Sequence, residues 1–181
     1  EAIRLTRLLD NLLDLSVLEN GQVVLNRETG TLAALLDRAI AAADVQAKLR
    51  ILRKSEAEQH VLHTDLDRLT QVFINLIANA GKYCENGAPE LSIRPELRDG
   101  DLVIDFIDNG DGIPRNQQAV IFEKFARVGD TKAGGAGLGL AICREVMGRL
   151  GGSISYVPGQ KGAAFRVRLP LEATQPMQAA Q

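Results

Sequence analysis

Tryptophan is absent from the 181-residue chain, and aromatic residues make up only 4% of it. Bases stack on aromatic faces, so a platform for single-stranded nucleic acid is excluded. An excess of either charge is lacking too: 21 Lys and Arg stand against 23 Asp and Glu, a formal net charge of −2. Without a basic field there is nothing to drive phosphate-backbone binding, and no nucleic-acid partner is expected. Apolar runs such as residues 120–122 are short. They fall far below the roughly 18 residues that cross a bilayer, so this portion is not expected to insert into a membrane. Only two cysteines occur, Cys84 and Cys143, far apart and without ligand spacing. Two lone thiols suit a reducing compartment rather than a disulfide scaffold. A signal peptide is lacking, and the first residues already follow a helical pattern. The expectation is a cytoplasmic portion of a longer protein, whose parent is free to carry an inner-membrane anchor.

What is present is 45% hydrophobic residues, enough for one domain with a core plus an appended element. Leu5, Leu8, Leu12, Leu15 and Leu18 recur at spacings of three and four, which predicts a helix over 1–20 stopped at Asn20-Gly21. A strand-like segment at 23–26 follows, then a helix opened by Thr31 and running to about 48. Short β segments are expected at 49–53 and 60–63. Thr64-Asp65 then caps a long helix over 66–83, with Leu66, Leu69, Phe73, Leu76, Ile77 and Ala80 on its core face. Alternation predicts a hairpin of 90–97 and 101–107 about Asp99-Gly100. A short helix ending near 122, a mobile polar segment over 126–136 and a helix over 137–150 come next. A last hairpin, 153–157 with 163–169, precedes a polar tail over 172–181 expected to be disordered. Strands and helices mix without a βαβ rhythm, so the class is α+β with a sheet covered on one face.

Chemistry collects in three places. Asn75, Asn79, Lys82 and Tyr83 share the open sector of the long helix, at spacings of three and four. Side-chain amide oxygen suits Mg²⁺ and an ammonium suits phosphate, although a solvated helix face carries such residues equally well. Asp108-Asn109-Gly110-Asp111-Gly112-Ile113 ends a strand-like run, where glycine lets backbone approach a ligand and a carboxylate can accept from an exocyclic amine. Taken alone, it reads equally as a Gly-rich turn. Gly134-Gly135-Ala136-Gly137-Leu138-Gly139-Leu140 leads into a helix whose free N–H groups and dipole attract phosphate. No G-x-x-x-x-G-K-[ST] loop occurs, and Ile142 stands where a dinucleotide fingerprint needs its third glycine.

The order of the strings N-L-I-A-N-A-G-K-Y (75–83), D-N-G-D-G-I-P (108–114), F-E-K-F (122–125) and G-G-A-G-L-G-L-A-I (134–142) resembles the N, G1, F and G2 boxes of sensor histidine kinase catalytic domains, in the GHKL superfamily. Lys161-Gly162-Ala163-Ala164-Phe165 is similar to the weaker final Gly motif. The likeness spans residues 1–169. It implies a two-layer α/β sandwich of the Bergerat type, a mixed sheet with helices on one face, plus one N-terminal helix. It implies ATP and Mg²⁺ as ligands, with Asn79 on the metal and Asn75 beside it. Lys82 would contact phosphate, Tyr83 would line the pocket, and Asp108 would bond the adenine amine, with Gly110, Gly112 and Ile113 giving backbone room. Phe122 and Phe125 would anchor a lid over 126–136 hinged by Gly129, Gly134 and Gly135. The backbone at Gly135, Gly137, Leu138 and Gly139 would hold phosphates, with the lid cations Arg127 and Lys132 reaching the γ-phosphate.

The same resemblance divides the chain. Residues 1–20 would be the second helix of a dimerisation and phosphoacceptor hairpin, 21–170 the ATP-binding domain and 171–181 a tail. The acceptor histidine would lie on a helix before Glu1, since His60 and His63 sit in a β-like segment without the acceptor pattern. Expected partners are ATP, those dimerisation helices and a response-regulator receiver domain. Hydrolysing relatives place Glu four residues before the metal Asn. Asn75 in that position is a poor base, which favours transfer to a protein over hydrolysis. Ala136 and Ala164 replace hydroxyl residues common in the family. A degenerate, nucleotide-dependent docking module and a GHKL serine kinase or ATPase remain as alternatives.

Overall fold

The computed structural model describes residues 2–21, 23–53, 55–126 and 137–171. They run α1 (Ala2–Glu19), β1 (Glu28–Thr31), α2 (Leu32–Ala43), β2 (Arg50–Arg53), a 3-10 turn (Glu56–Gln59), β3 (Val61–Thr64) and α3 (Leu66–Tyr83). Next come β4 (Glu90–Arg98), β5 (Asp101–Asp108), α4 (Gly139–Arg149), β6 (Ser153–Tyr156) and β7 (Ala164–Pro170).

Local chemistry accounts for the helix ends. Asp65 accepts the Arg68 N–H at 3.0 Å and starts α3, as its cap position predicts. Its second oxygen takes the Asn26 N–H at 3.0 Å, tying the incoming chain to the same cap. Thr31 closes β1 and caps α2 by accepting the Ala34 N–H at 3.2 Å. α2 then stops at Ala43, short of the expected 48, because Asp44 takes a left-handed conformation with φ 51°.

The five-stranded sheet has the order β2-β4-β5-β7-β6, parallel only between β2 and β4. β1 and β3 form a separate antiparallel ribbon. Alternation sorts the two faces. Leu91 and Ile93, Leu102, Ile104 and Phe106, and Phe165, Val167 and Leu169 are buried in one cluster with the helices. The opposite face carries Asp105 paired doubly with Arg166 at 2.8 and 2.9 Å, and Asp101 with Arg168 at 2.7 Å. This is the expected two-layer arrangement with helices on one face. All six predicted α3 core residues are buried, and the Phe73 and Phe106 rings sit 5.6 Å apart. Burial of α3's stripe therefore fixes which of its faces remains open.

The stripe of α1 is graded rather than uniform. Leu15 and Leu18 are buried in the common core, Leu8 and Leu12 are half-buried, and Leu5 is exposed. Arg149 of α4 donates to the terminal Leu18 carbonyl at 2.6 and 3.0 Å, and Asp14 pairs with Arg68 at 2.8 Å. Leu9, Leu13 and Val17 form an exposed row on the other side.

Three expectations need correction. Residues 23–26 join no ladder: the chain runs on to Asn26, whose N–H is taken by the Asp65 carboxylate, and the strand forms later, at β1. The stretch toward 122 is a chain of turns rather than a helix. Its bonds reach three residues back, Gln117 N–H to Pro114 O, Val120 to Gln117 and Glu123 to Val120, and never settle into the four-residue ladder. α4 begins at Gly139, not 137, because Gly137 has φ +72°. The expected disorder of 172–181 and the mobile segment beyond Ala126 lie outside the described residues.

Candidate functional site

The open face of α3 meets the rest of the site at both of its ends. At one end the Asn75 amide donates to the Gly139 carbonyl at 3.3 Å and to Cys143 Sγ at 3.7 Å, joining α3 to the start of α4. At the other, Cys84 donates its S–H to Asn109 Oδ1 at 3.0 Å, and its Cα lies 3.4 Å from where a Cβ on Gly110 would stand. Nine helical rises separate Asn75 from Cys84, about 13.5 Å. Asn79 sits between them, half-buried, its side chain without a hydrogen-bond partner among the described residues. Lys82 and Tyr83 follow it and are exposed.

Asp108 closes the far end. Its Oδ1 accepts the Gly110 N–H at 2.9 Å and the Ala163 N–H at 3.0 Å, and its own N–H donates to the Ala163 carbonyl at 2.9 Å. Two backbone donors immobilise one oxygen, and the second is left free to accept. The following turn is held from below, where the Tyr156 hydroxyl accepts the Ile113 N–H at 3.3 Å. Gly112 lies close to Gly162, with 3.1 Å between its Cβ position and the Gly162 carbonyl oxygen. Tyr156 packs edge-on against Phe165 at 5.6 Å, and Phe122 does so at 6.2 Å.

The segment ending at Phe125 meets the approach to α4 where Phe125 donates its N–H to the Gly137 carbonyl at 2.9 Å. Phe125 is exposed and left-handed, with φ 62°. Leu138 is buried, and no side chain caps the N–H groups that open α4 at Gly139. Those donors and the helix dipole are available to an anion. Arg127, Gly129, Lys132, Gly134, Gly135 and Ala136 lie outside the described residues.

The structure thus joins Asn75 to Gly139 at the start of α4, and the Cys84 end of α3 to the Asn109-Gly110 turn after Asp108, with Asn79 on α3 between them. Asn75 is engaged as a tether, whereas Asn79 is not. Sequence reasoning missed Asn86, Asn109, Tyr156 and the Ala163 backbone. Only the position of Asn109 inside D-x-G-x-G offered a signal for any of them. His63 Nδ1 bonds Thr29 Oγ1 at 2.9 Å within the β1–β3 ribbon, a structural role in keeping with its β-like setting.

Two clefts lie elsewhere. One of about 540 Å³ is bounded by Asp37, Ile40, Leu49 and Arg53, and one of about 480 Å³ by residues 46–50 and 87–90. Volume does not make them the site. Arg53, one of the two arginines lining the first, is paired with Glu58 and Asp37.

Burial pushes the Cys143 thiol up to about 12. Burial, with Asp108 and Asp111 nearby, raises that of Cys84 as well. Neither thiol is ionised at neutral pH. The unfolded chain releases the Cys143 proton near 9 and the folded chain does not, so its contribution to stability is complete below 9 and is lost as pH rises toward 12. Unfolding free energies from urea titrations should hold level up to about pH 9 and then fall by about 1.4 kcal/mol per pH unit on this account, and Cys143→Ala should flatten the decline. An unchanged slope in the variant assigns the alkaline loss to other groups.

Residues 64–173 match the family model described as Histidine kinase-, DNA gyrase B-, and HSP90-like ATPase. The chain is 36% identical over 167 residues to the Sensor protein KdpD of Escherichia coli, covering 91% of this chain and 19% of that protein. It is 36% identical over 186 residues to the Probable sensor histidine kinase TcrY of Mycobacterium tuberculosis, covering 98% of this chain and 38% of that one. The solved structure of the Acinetobacter baumannii histidine kinase AdeS superposes with a TM-score of 0.76 at 28% identity, covering 92% of this chain and 78% of that one. The chain therefore spans between 19% and 38% of the length of these two curated relatives.

Proposed function

The chain belongs to the family of histidine kinase-, DNA gyrase B- and HSP90-like ATPases, and from that premise we propose that it is the ATP-binding catalytic portion of a sensor histidine kinase. It would present the γ-phosphate of ATP to a histidine on dimerisation helices outside the described chain, for relay to a response-regulator aspartate. Residues 1–20 would be the second helix of that dimerisation hairpin, and the exposed row Leu9, Leu13 and Val17 suits a helical partner. No described helix is long and apolar enough to cross a membrane.

One observation carries this reading. An unpartnered, half-buried amide, Asn79, lies on α3 between Asn75, which bonds the start of α4, and Cys84, which bonds the residue after Asp108. Asp108 would accept from the adenine amine, Asn79 would face the phosphates, and Lys82 and the N–H groups at Gly139 would take their charge. Mg²⁺ fits these residues. Among the described residues no group of three or more His, Cys, Asp or Glu could hold a metal. A hard cation that takes its remaining ligands from phosphate and water needs only one or two protein oxygens. Bound there, Mg²⁺ would neutralise charge on the transferring phosphoryl group, with the Asn79 carbonyl oxygen as its protein ligand.

Transfer is favoured over hydrolysis by Asn75. Its nitrogen is tied to Gly139 and Cys143, and an amide cannot take a proton from water. Calorimetric titration should therefore give saturable ATP binding that tightens with Mg²⁺, with little turnover in the absence of a protein acceptor. Labelled ATP should leave no phosphohistidine on this chain, and should label an added dimerisation hairpin carrying the acceptor. Rapid release of free phosphate without an acceptor would replace the kinase reading by an ATPase.

A further inference from the structure

The residue following Asp108 makes more hydrogen bonds than any role in nucleotide contact would require. Asn109 Oδ1 accepts from the Glu90 N–H at 2.8 Å, from the Cys84 thiol at 3.0 Å and from Asn86 Nδ2 at 3.1 Å. Its Nδ2 donates to the Ala88 carbonyl at 3.0 Å, and its own N–H to the Glu90 carbonyl at 3.1 Å. Asn86 Nδ2 also reaches the Asn109 carbonyl at 3.0 Å, while Asn86 Oδ1 accepts the Ala88 N–H at 2.8 Å. The knot joins the connection leaving α3 (Cys84, Asn86 and Ala88) and the first residue of β4 (Glu90) to the residue that follows β5.

We propose that Asn109, locked by Asn86 and Cys84, is a positioning residue that sets the separation between the adenine-binding Asp108 and the phosphate-facing side chains of α3. The inference rests on the nucleotide reading above. Three geometric facts support it. The Asp108 carboxylate is held by Gly110 and Ala163, not by Asn109, so the knot does not build the adenine contact itself. Cys84 caps α3 one residue beyond Tyr83 and two beyond Lys82, so whatever holds Cys84 holds the end of that face. The middle of α3, where its polar row begins, is already tied to α4 through Asn75, which leaves the Cys84 end as the joint still to be fixed against Asp108.

A ligand that engages two subsites at once gains affinity only while their spacing matches its own length. The knot should therefore matter for a nucleotide spanning both ends and not for a nucleoside that fills only one. Asn109→Ala is expected to weaken Mg²⁺–ATP binding by about tenfold while leaving adenosine affinity, followed by NMR titration, unchanged. Asn86→Ala, an exposed site whose loss leaves the bonds of the Asn109 side chain to the Glu90 N–H and the Ala88 carbonyl in place, should show the same selective weakening at about threefold. It reports even if Asn109→Ala does not fold. Parallel loss of adenosine and ATP affinity in either folded variant would make the knot merely structural and overturn the proposal, as would no change in either. If the unaltered protein binds neither ligand, the nucleotide reading fails instead, and the two failures are distinct.

Discussion

Asn79→Ala is expected to remove the magnesium-dependent part of ATP affinity and to lower phosphotransfer to an added acceptor by about 10²–10³-fold, the usual cost of deleting one preorganised group that meets developing charge. The melting temperature should stay where it is. Asn79 is half-buried and its side chain bonds to nothing described, so truncation breaks no contact. Alanine is also the better helix former by up to about 0.7 kcal/mol. Function and stability separate cleanly at this position, which they do not at Asn75, where the amide joins α3 to Gly139 and Cys143. Calorimetry with and without Mg²⁺, beside a thermal melt, reads both quantities. A variant that keeps its full magnesium dependence would remove Asn79 from the metal and leave the site without a protein ligand for it. A variant that loses ATP binding only in step with its melting temperature would make the residue structural.

How much of this was legible beforehand depended on the range of the interactions involved. The caps at Thr31 and Asp65, the α3 stripe and the Asp99-Gly100 hairpin rest on contacts within a few residues, and composition and period reveal those. So does the grouping of Asn75, Asn79, Lys82 and Tyr83, since one helix places them. The stop of α2 at Asp44 was not visible, because a left-handed Asp leaves no mark in a run that otherwise continues as helix. Nor was the division of labour between two asparagines four residues apart. Asn75 becomes a tether only because Gly139, 64 positions later, presents a carbonyl to it. The same holds for Asp108. Its carboxylate was readable as an acceptor at a strand end, but one of the two donors that orient it comes from Ala163, 55 positions away, through a backbone N–H that any residue except proline supplies. Tyr156 reached the site in the same way, through packing on Phe165.

That long-range closure makes Gly162 the position where a single methyl group should do the most damage. A Cβ there would stand 2.0 Å from the Asp108 carbonyl oxygen, 2.8 Å from its carbon and 2.9 Å from Oδ1. None of these is the free end of a flexible chain. Asp108 is the last residue of β5, bonded through its N–H to Ala163 and through Oδ1 to two backbone donors. The left-handed φ of +85° adds a conformational cost of about 1 kcal/mol for any residue with a side chain. Gly162→Ala is therefore expected to lower stability by about 2–4 kcal/mol, since a crowded interior must shift backbone to admit the new atom. It should also abolish measurable adenosine binding by displacing the Asp108 carboxylate. Gly151→Ala separates the two contributions. Gly151 has nearly the same φ, +82°, but a Cβ there would have nothing within 4 Å. That variant should lose only the conformational part and keep its nucleotide affinity. Equal losses at the two positions, in urea midpoint and in adenosine affinity alike, would show that the contact with Asp108 contributes nothing, and with it would go the claim that the β6–β7 connection shapes the adenine end of the site.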